Sequence, residues 1–182
     1  RQMCIRDRWC TIVAVMLVAP EVVLILGGKE YYESRIVVLP LLACTFFTFL
    51  YLLPSTTEYY LKKTWNIAFA TSCIAVLNII LNYFFIKQFG YIAGAYTTLF
   101  CYICYFLFHY LMAKKLIGFQ QFDTKIIAVL AVLLFAVLAV CYVLLDLLVV
   151  RWTLMIIFVL VNALLLLKMY KTCLLYTSPS PR

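Results

Sequence analysis

Charge is what this chain has least of: 12% of its 182 residues are charged, against roughly 25% in soluble domains. That shortage excludes a water-soluble fold. Glycine and proline are also sparse, at 5 each, beside 14 Phe and 14 Tyr. Collagen-like, linker and disordered sequences are thereby excluded. One His and a single closely spaced cysteine pair, Cys101 and Cys104, leave a zinc or redox site without a ligand set. No metal and no cofactor is expected. A nucleotide-binding loop and a nucleophile with an adjacent base are missing as well, so an enzyme is not expected. What the chain does have is apolar bulk, 68% hydrophobic residues with a mean hydropathy of +1.08. This places it in a bilayer. Fifteen basic against seven acidic residues give +8. In a membrane protein that excess reports on which loops face the cytoplasm, and no nucleic-acid partner is expected.

Neither end continues the apolar pattern beside it. The first eight residues, RQMCIRDR, and the last ten, CLLYTSPSPR, resemble translations of opposite strands of one short sequencing-library adaptor. Residues 1–8 and 173–182 are therefore expected to be artefactual and are set aside. Their removal takes four arginines and one aspartate and lowers the net charge from +8 to +5. Cys10, Cys44, Cys73, Cys101, Cys104 and Cys141 remain, all in apolar runs, and are expected to act as small buried hydrophobes.

Six apolar runs are long enough to cross a hydrocarbon core of about 30 Å, which takes roughly 20 residues. They lie near 9–27, 36–53, 65–86, 91–113, 126–150 and 152–170. Backbone polar groups in lipid must be satisfied within a segment, and the runs lack strand-like alternation. The expected fold is all-α, a polytopic membrane protein of six transmembrane helices. Lys29, Arg35, Lys87 and Arg151 fall on one side. Lys62, Lys63, Lys114, Lys115, Lys125, Lys168 and Lys171 fall on the other, which is expected to be cytoplasmic, so the first helix runs outward. Pro54, followed by Ser55 and Glu58 at capping-box spacing, allows two readings. Either the second helix stops there, or it kinks and continues to Lys62, which is the preferred reading and sets Glu58 near the inner face.

Two segments carry a family resemblance: APEVVLILGGKEYYES at 19–34 and LNIILNYFFIKQFGYIAGAYTTL at 77–99. Residues 19–116 resemble the second lobe of polysaccharide or O-antigen flippases in the multidrug/oligosaccharidyl-lipid/polysaccharide (MOP, MATE-like) transporter superfamily. The resemblance implies two six-helix lobes related by a pseudo-twofold axis, with two further C-terminal helices. Residues 9–116 would then supply four helices of the second lobe and 117–172 the two additional ones. The six spans would be helices nine to fourteen, whose direction agrees with that read from the lysines and arginines. It further implies a bacterial inner-membrane protein that flips undecaprenyl-pyrophosphate-linked oligosaccharide. Implied partners are that substrate, membrane lipids, an N-terminal lobe missing from this fragment, and the polysaccharide polymerase machinery. One alternative is a drug/cation antiporter of the same superfamily. Another is a polytopic membrane enzyme acting on lipid-linked sugars, for which a large soluble loop would be expected.

Polar side chains inside the spans are the candidate site residues. Glu21 lies midway along the first span, where an unpaired carboxylate is costly. It is a candidate coupling or cavity residue, or it sits in a wet cleft. Glu58 is a second candidate. Asn78 and Asn82, four apart, share a helix face with Thr71. They either bond to a neighbouring helix, the preferred reading, or offer hydrogen bonds to sugar hydroxyls. Pro20 and Pro54 are bend or hinge candidates. Gly90 and Gly94 form a GxxxG in which Gly90 is expected to end one helix and Gly94 to lie at an interface. Asp146 and Arg151 are expected to pair at the outer face. His109 is expected at the inner interface. Lys62, Lys63, Lys114 and Lys115 are expected to set topology and contact headgroups, with a lesser role in attracting a pyrophosphate-linked glycan.

Overall fold

A computed structural model describes residues 2–118 and 123–177, with side chains over 4–118 and 123–168. Arg1 and residues 178–182 of the terminal stretches, and the side chain of Lys171, lie outside the described residues. The elements are α1 (Gln2–Gly27), a 3-10 turn (Lys29–Ser34), α2 (Arg35–Tyr60), α3 (Thr64–Phe89), α4 (Ile92–Ile117), α5 (Thr124–Val143) and α6 (Leu148–Thr177). There is no strand among the described residues. All six helices are long and apolar enough to cross a membrane, and at 1.5 Å per residue a 26-residue helix such as α3 spans about 39 Å. The chain has the build of a multi-pass membrane protein.

The helix ends follow from local chemistry. Gly90 takes φ 75° and donates its N–H to the Ile86 carbonyl, 2.9 Å away, ending α3. Gly118, left-handed at φ 78°, ends α4 through the Lys114 carbonyl at 3.0 Å. A Cβ at either position would force a conformation that L-residues avoid. α5 starts at Asp123, whose side chain accepts from the Lys125 N–H at 3.0 Å.

Short connections make sequence neighbours antiparallel, and the cross-helix contacts agree. α1 meets α6 at Cys10 and Asn162 and again at Glu21 and Arg151. α2 lies parallel to α4, with Tyr51 against Tyr105 and Glu58 against His109. α2 is the central helix: Leu39, Ala43, Phe46 and Leu50 are fully buried at the spacing of one helix face. That stripe meets Ile12, Val13 and Met16 of α1, Leu99 and Phe106 of α4, and Leu134 and Leu138 of α5 in one core. α3, by contrast, buries only Ala70 and presents Ile79, Ile80, Tyr83 and Phe84 outward. α6 likewise exposes Ile156, Ile157, Leu160 and Leu164. Such surfaces suit lipid, where apolar exposure carries no penalty.

Several expectations need correction. The fifth helix stops at Val143 rather than near 150, because residues 144–147 form the turn and Arg151 lies in the first turns of α6. Asp146 therefore stays in an exposed turn and pairs with Arg35 at 2.9 Å, while Arg151 turns inward. Asp146 and Arg151 are not partners. His109 is fully buried rather than interfacial, because Glu58 meets it across α2 and α4. Cys44, Cys101 and Cys141 are buried as expected, but Cys73 is exposed on the outward face of α3, and Cys10 and Cys104 are half-buried. At Pro54 the helix continues, with α2 running through Pro40 and Pro54 to Tyr60.

Candidate functional site

Helix prolines open backbone acceptors, and the one opened by Pro40 is bridged from a neighbouring helix. Pro40 has no N–H, so the Ile36 carbonyl four residues earlier loses its helical donor. Tyr142 of α5 supplies one, its hydroxyl donating to the Ile36 carbonyl at 2.7 Å and accepting from the Tyr96 hydroxyl at 2.9 Å. Pro20 opens the same turn of α1 in which Arg151 of α6 arrives. The Arg151 guanidinium donates to the Leu17 carbonyl at 3.0 Å and, in a two-pronged fork, to both Glu21 oxygens at 2.9 and 2.5 Å. The guanidinium is 3% exposed and the carboxylate 19%. Glu21 is thus paired with Arg151, which joins α6 to the Pro20 turn of α1. This geometry exploits the planar Arg fork.

On the other side of the bundle, α3 and α4 are joined by a polar ladder. Asn82 donates to the Asn78 oxygen at 3.0 Å, and Asn78 donates to the Thr98 hydroxyl at 3.5 Å. Thr97 donates to the Asn82 oxygen in a short contact. Thr97 and Thr98 both also reach the Gly94 carbonyl, at 3.0 and 2.7 Å. Gly94 permits the approach, since a Cβ there would lie 3.3 Å from Cδ1 of Ile86. Asn78 and Asn82 are therefore bonded to each other along α3 and to Thr98 and Thr97 across to α4. Two turns away, Thr71 of α3 bonds the Tyr105 hydroxyl of α4 at 2.7 Å.

Glu58 and His109 form the most enclosed polar contact. Both side chains are 0% exposed, and Nδ1 of His109 lies 2.6 Å from Oε1 of Glu58. Tyr105 meets the imidazole edge-on at 4.6 Å between centroids, with Tyr51 at 6.0 Å and Phe108 at 5.5 Å. Oε2 of Glu58 and Nε2 of His109 have no hydrogen-bond partner. Immediately beyond, α2 ends in a turn where Lys62 takes φ 56° and the Lys63 N–H bonds the Glu58 carbonyl at 2.8 Å. Lys62, Lys63, Lys114 and Lys115 are all exposed at this end of the bundle.

The proposed site residues are thus dispersed rather than gathered in one cavity. Glu21 lies at the α1–α6 contact and Asn78, Asn82 and Gly94 at the α3–α4 contact. Glu58 is at the α2–α4 contact, with the four lysines beyond it. Sequence reasoning missed Arg151 as a partner for Glu21, Tyr142 as a partner for the Pro40 turn, and the burial of His109. The Thr97-Thr98 pair in an apolar helix was the available signal for the ladder. Among the described residues no three His, Cys, Asp or Glu side chains gather as a metal site would require. Comparison with family models, curated proteins and solved structures finds no match.

Proposed function

We propose that this chain is part of a membrane transporter that flips undecaprenyl-pyrophosphate-linked oligosaccharide across the bacterial inner membrane during surface polysaccharide assembly. The observation carrying this reading is the resemblance at 19–34 and 77–99, segments that fall on the α1-to-α2 and α3-to-α4 junctions of a six-helix chain. Flipping makes and breaks no bond, so the role asks for no catalytic group. It asks for a hydrophilic passage, two gated conformations and a bias between them. Four exposed lysines at one end would favour an anionic headgroup by charge. The pairing of Glu21 with Arg151 supports this reading over a drug/cation antiporter, since it takes up the midspan carboxylate that a cationic substrate would need. In this reading the partners are the lipid-linked glycan, the surrounding lipids, the polymerase machinery and an N-terminal lobe forming the other wall of the passage.

The complete gene, expressed in a bacterium lacking its own flippase, should restore surface glycan when the repeat unit is compatible. Stable insertion without restored glycan across several repeat-unit chemistries would overturn the proposal.

A further inference from the structure

We propose that Glu58 and His109 form a proton-binding site, which holds one exchangeable proton while the ends of α2 and α4 are closed and releases it to water when they part. This rests on the bundle alone and stands or falls independently of the flippase reading.

The first support is burial. A carboxylate facing a neutral imidazole carries a net −1 charge, and both side chains here are 0% exposed. An isolated charge in such surroundings is strongly disfavoured. Adding one proton brings the pair to net zero, either as imidazolium and carboxylate or as neutral imidazole and carboxylic acid, and adding a second makes it +1. The net-zero form is the one a closed seam accommodates. The proton belongs to the pair rather than to either residue.

The second support is the pattern of satisfied and orphaned atoms. The 2.6 Å contact is the pair's single hydrogen bond, leaving Nε2 of His109 and Oε2 of Glu58 buried without partners. Arg35 and Arg151 each leave a buried Nε unpartnered, but in the Glu58–His109 pair both members carry an orphaned atom, whereas Asn82 and Thr97 each make two contacts. Buried atoms left unmatched are costly in the closed state, and water would satisfy both on opening.

The third support is position. Glu58 is one helical turn from the exposed turn at Leu61 and Lys62, and Tyr59 and Tyr60 beside it are 58% and 86% exposed. The proton therefore needs only the end of α2 to lift from α4, with no pathway through the bundle. The groups facing the pair are the Tyr51 and Tyr105 rings, and the Tyr105 hydroxyl is held by Thr71 of α3. Charged groups described at this end are Arg6, Asp7 and Arg8 of α1, Lys62 and Lys63 before α3, Lys114 and Lys115 of α4, Asp123 and Lys125 starting α5, and Lys168 of α6.

His109 is the only histidine, so a chain labelled with nitrogen-15 histidine gives one imidazole spectrum without assignment. The 182-residue chain would be placed in nanodiscs of phosphatidylethanolamine and phosphatidylglycerol and titrated. Amide hydrogen exchange over 57–63 and 107–113 would be followed in parallel and corrected for intrinsic rates. The expected result is that loss of the ring's signature of a hydrogen bond to Glu58, whichever partner carries the proton, coincides with loss of amide protection, at one midpoint. Glu58→Gln should give a different ring spectrum and abolish that shared transition, while Glu58→Asp should keep it. The proposal is overturned if the ring titrates while both helix ends stay protected, or if Glu58→Gln leaves the ring spectrum as in the unsubstituted chain. Should Glu58→Gln fail to fold, the unsubstituted titration decides alone, by coincidence or separation of the two transitions.

Discussion

Arg151 illustrates how much depends on one side chain in a low-dielectric interior. Its guanidinium touches Glu21 and the Leu17 carbonyl and is 3% exposed. Removing one member of such a pair strands a charge, which costs about 3 kcal/mol or somewhat more, whereas replacing both with apolar groups of similar volume is often near neutral. Arg151→Met should therefore destabilise the chain by roughly that amount in reversible unfolding from mixed micelles. The double variant Glu21→Leu with Arg151→Met should recover most of the loss. Additive losses would mean that the pair acts through separate contacts. At Asn82 the effect should be smaller. Asn82→Leu breaks bonds to Asn78 and Thr97, but Thr97 keeps the Gly94 carbonyl. A loss of about 1 kcal/mol is expected by the same measurement.

Glu21, Asn78, Asn82 and Glu58 stand out in sequence because a polar group in an apolar run needs a partner. Which partner it finds does not stand out. Arg151 is 130 positions from Glu21 and His109 is 51 from Glu58, and no periodicity within one helix links residues on different helices.

Among the elements, α2 departs most from simple helix rules, since it crosses the membrane region with two internal prolines. Tyr142 donates to the carbonyl that Pro40 leaves free. Tyr142→Phe should consequently cost about 1 kcal/mol. In a Pro40→Ala background the helix supplies its own donor, and the same Tyr142→Phe change should cost measurably less. Equal costs in both backgrounds would rule out the bridging role. The α3–α4 contact is set by Gly94. Gly94→Ala places a Cβ 3.3 Å from the flexible end of Ile86 and should be tolerated. Gly94→Leu should separate the helices, at about 1–3 kcal/mol, with loss of the Asn82–Thr97 contact followed by side-chain amide spectra.

At the scale of the whole molecule, the lysines at the ends of α2 and α4 and the start of α3 lie together, opposite the Lys29–Ser34 turn. In sealed vesicles, Lys63→Cys and Lys114→Cys should react with a membrane-impermeant thiol reagent from one face and Glu30→Cys from the other. In cells, protection of the first two until the membrane is permeabilised would place that end in the cytoplasm. Reaction of all three from one face would overturn the six-span topology.

Six long apolar runs bounded by charge and by Gly27-Gly28 and Gly90 determine by themselves that the chain is helical and how many membrane-crossing helices it has. Lipid leaves the backbone no other partner than itself. The sequence misplaces the end of the fifth helix and the start of the sixth, because Arg151 reads as a loop charge when only its position along the chain is known. Both α1 and α6 also run beyond the expected outer limits of 9 and 170, from Gln2 and to Thr177. What the tertiary structure alone decides is which helix lies against which, with α2 central and α3 and α6 outermost. It also decides that Glu21 and Glu58 are each matched to a cation or imidazole from a distant helix. Hydrophobicity cannot make that choice, since every helix here is apolar on most of its surface. It falls to a few polar contacts and close approaches, Arg151 with Glu21, Tyr142 with the Pro40 turn, and Thr97 with Asn82 over Gly94, which exist only once the helices have been brought together.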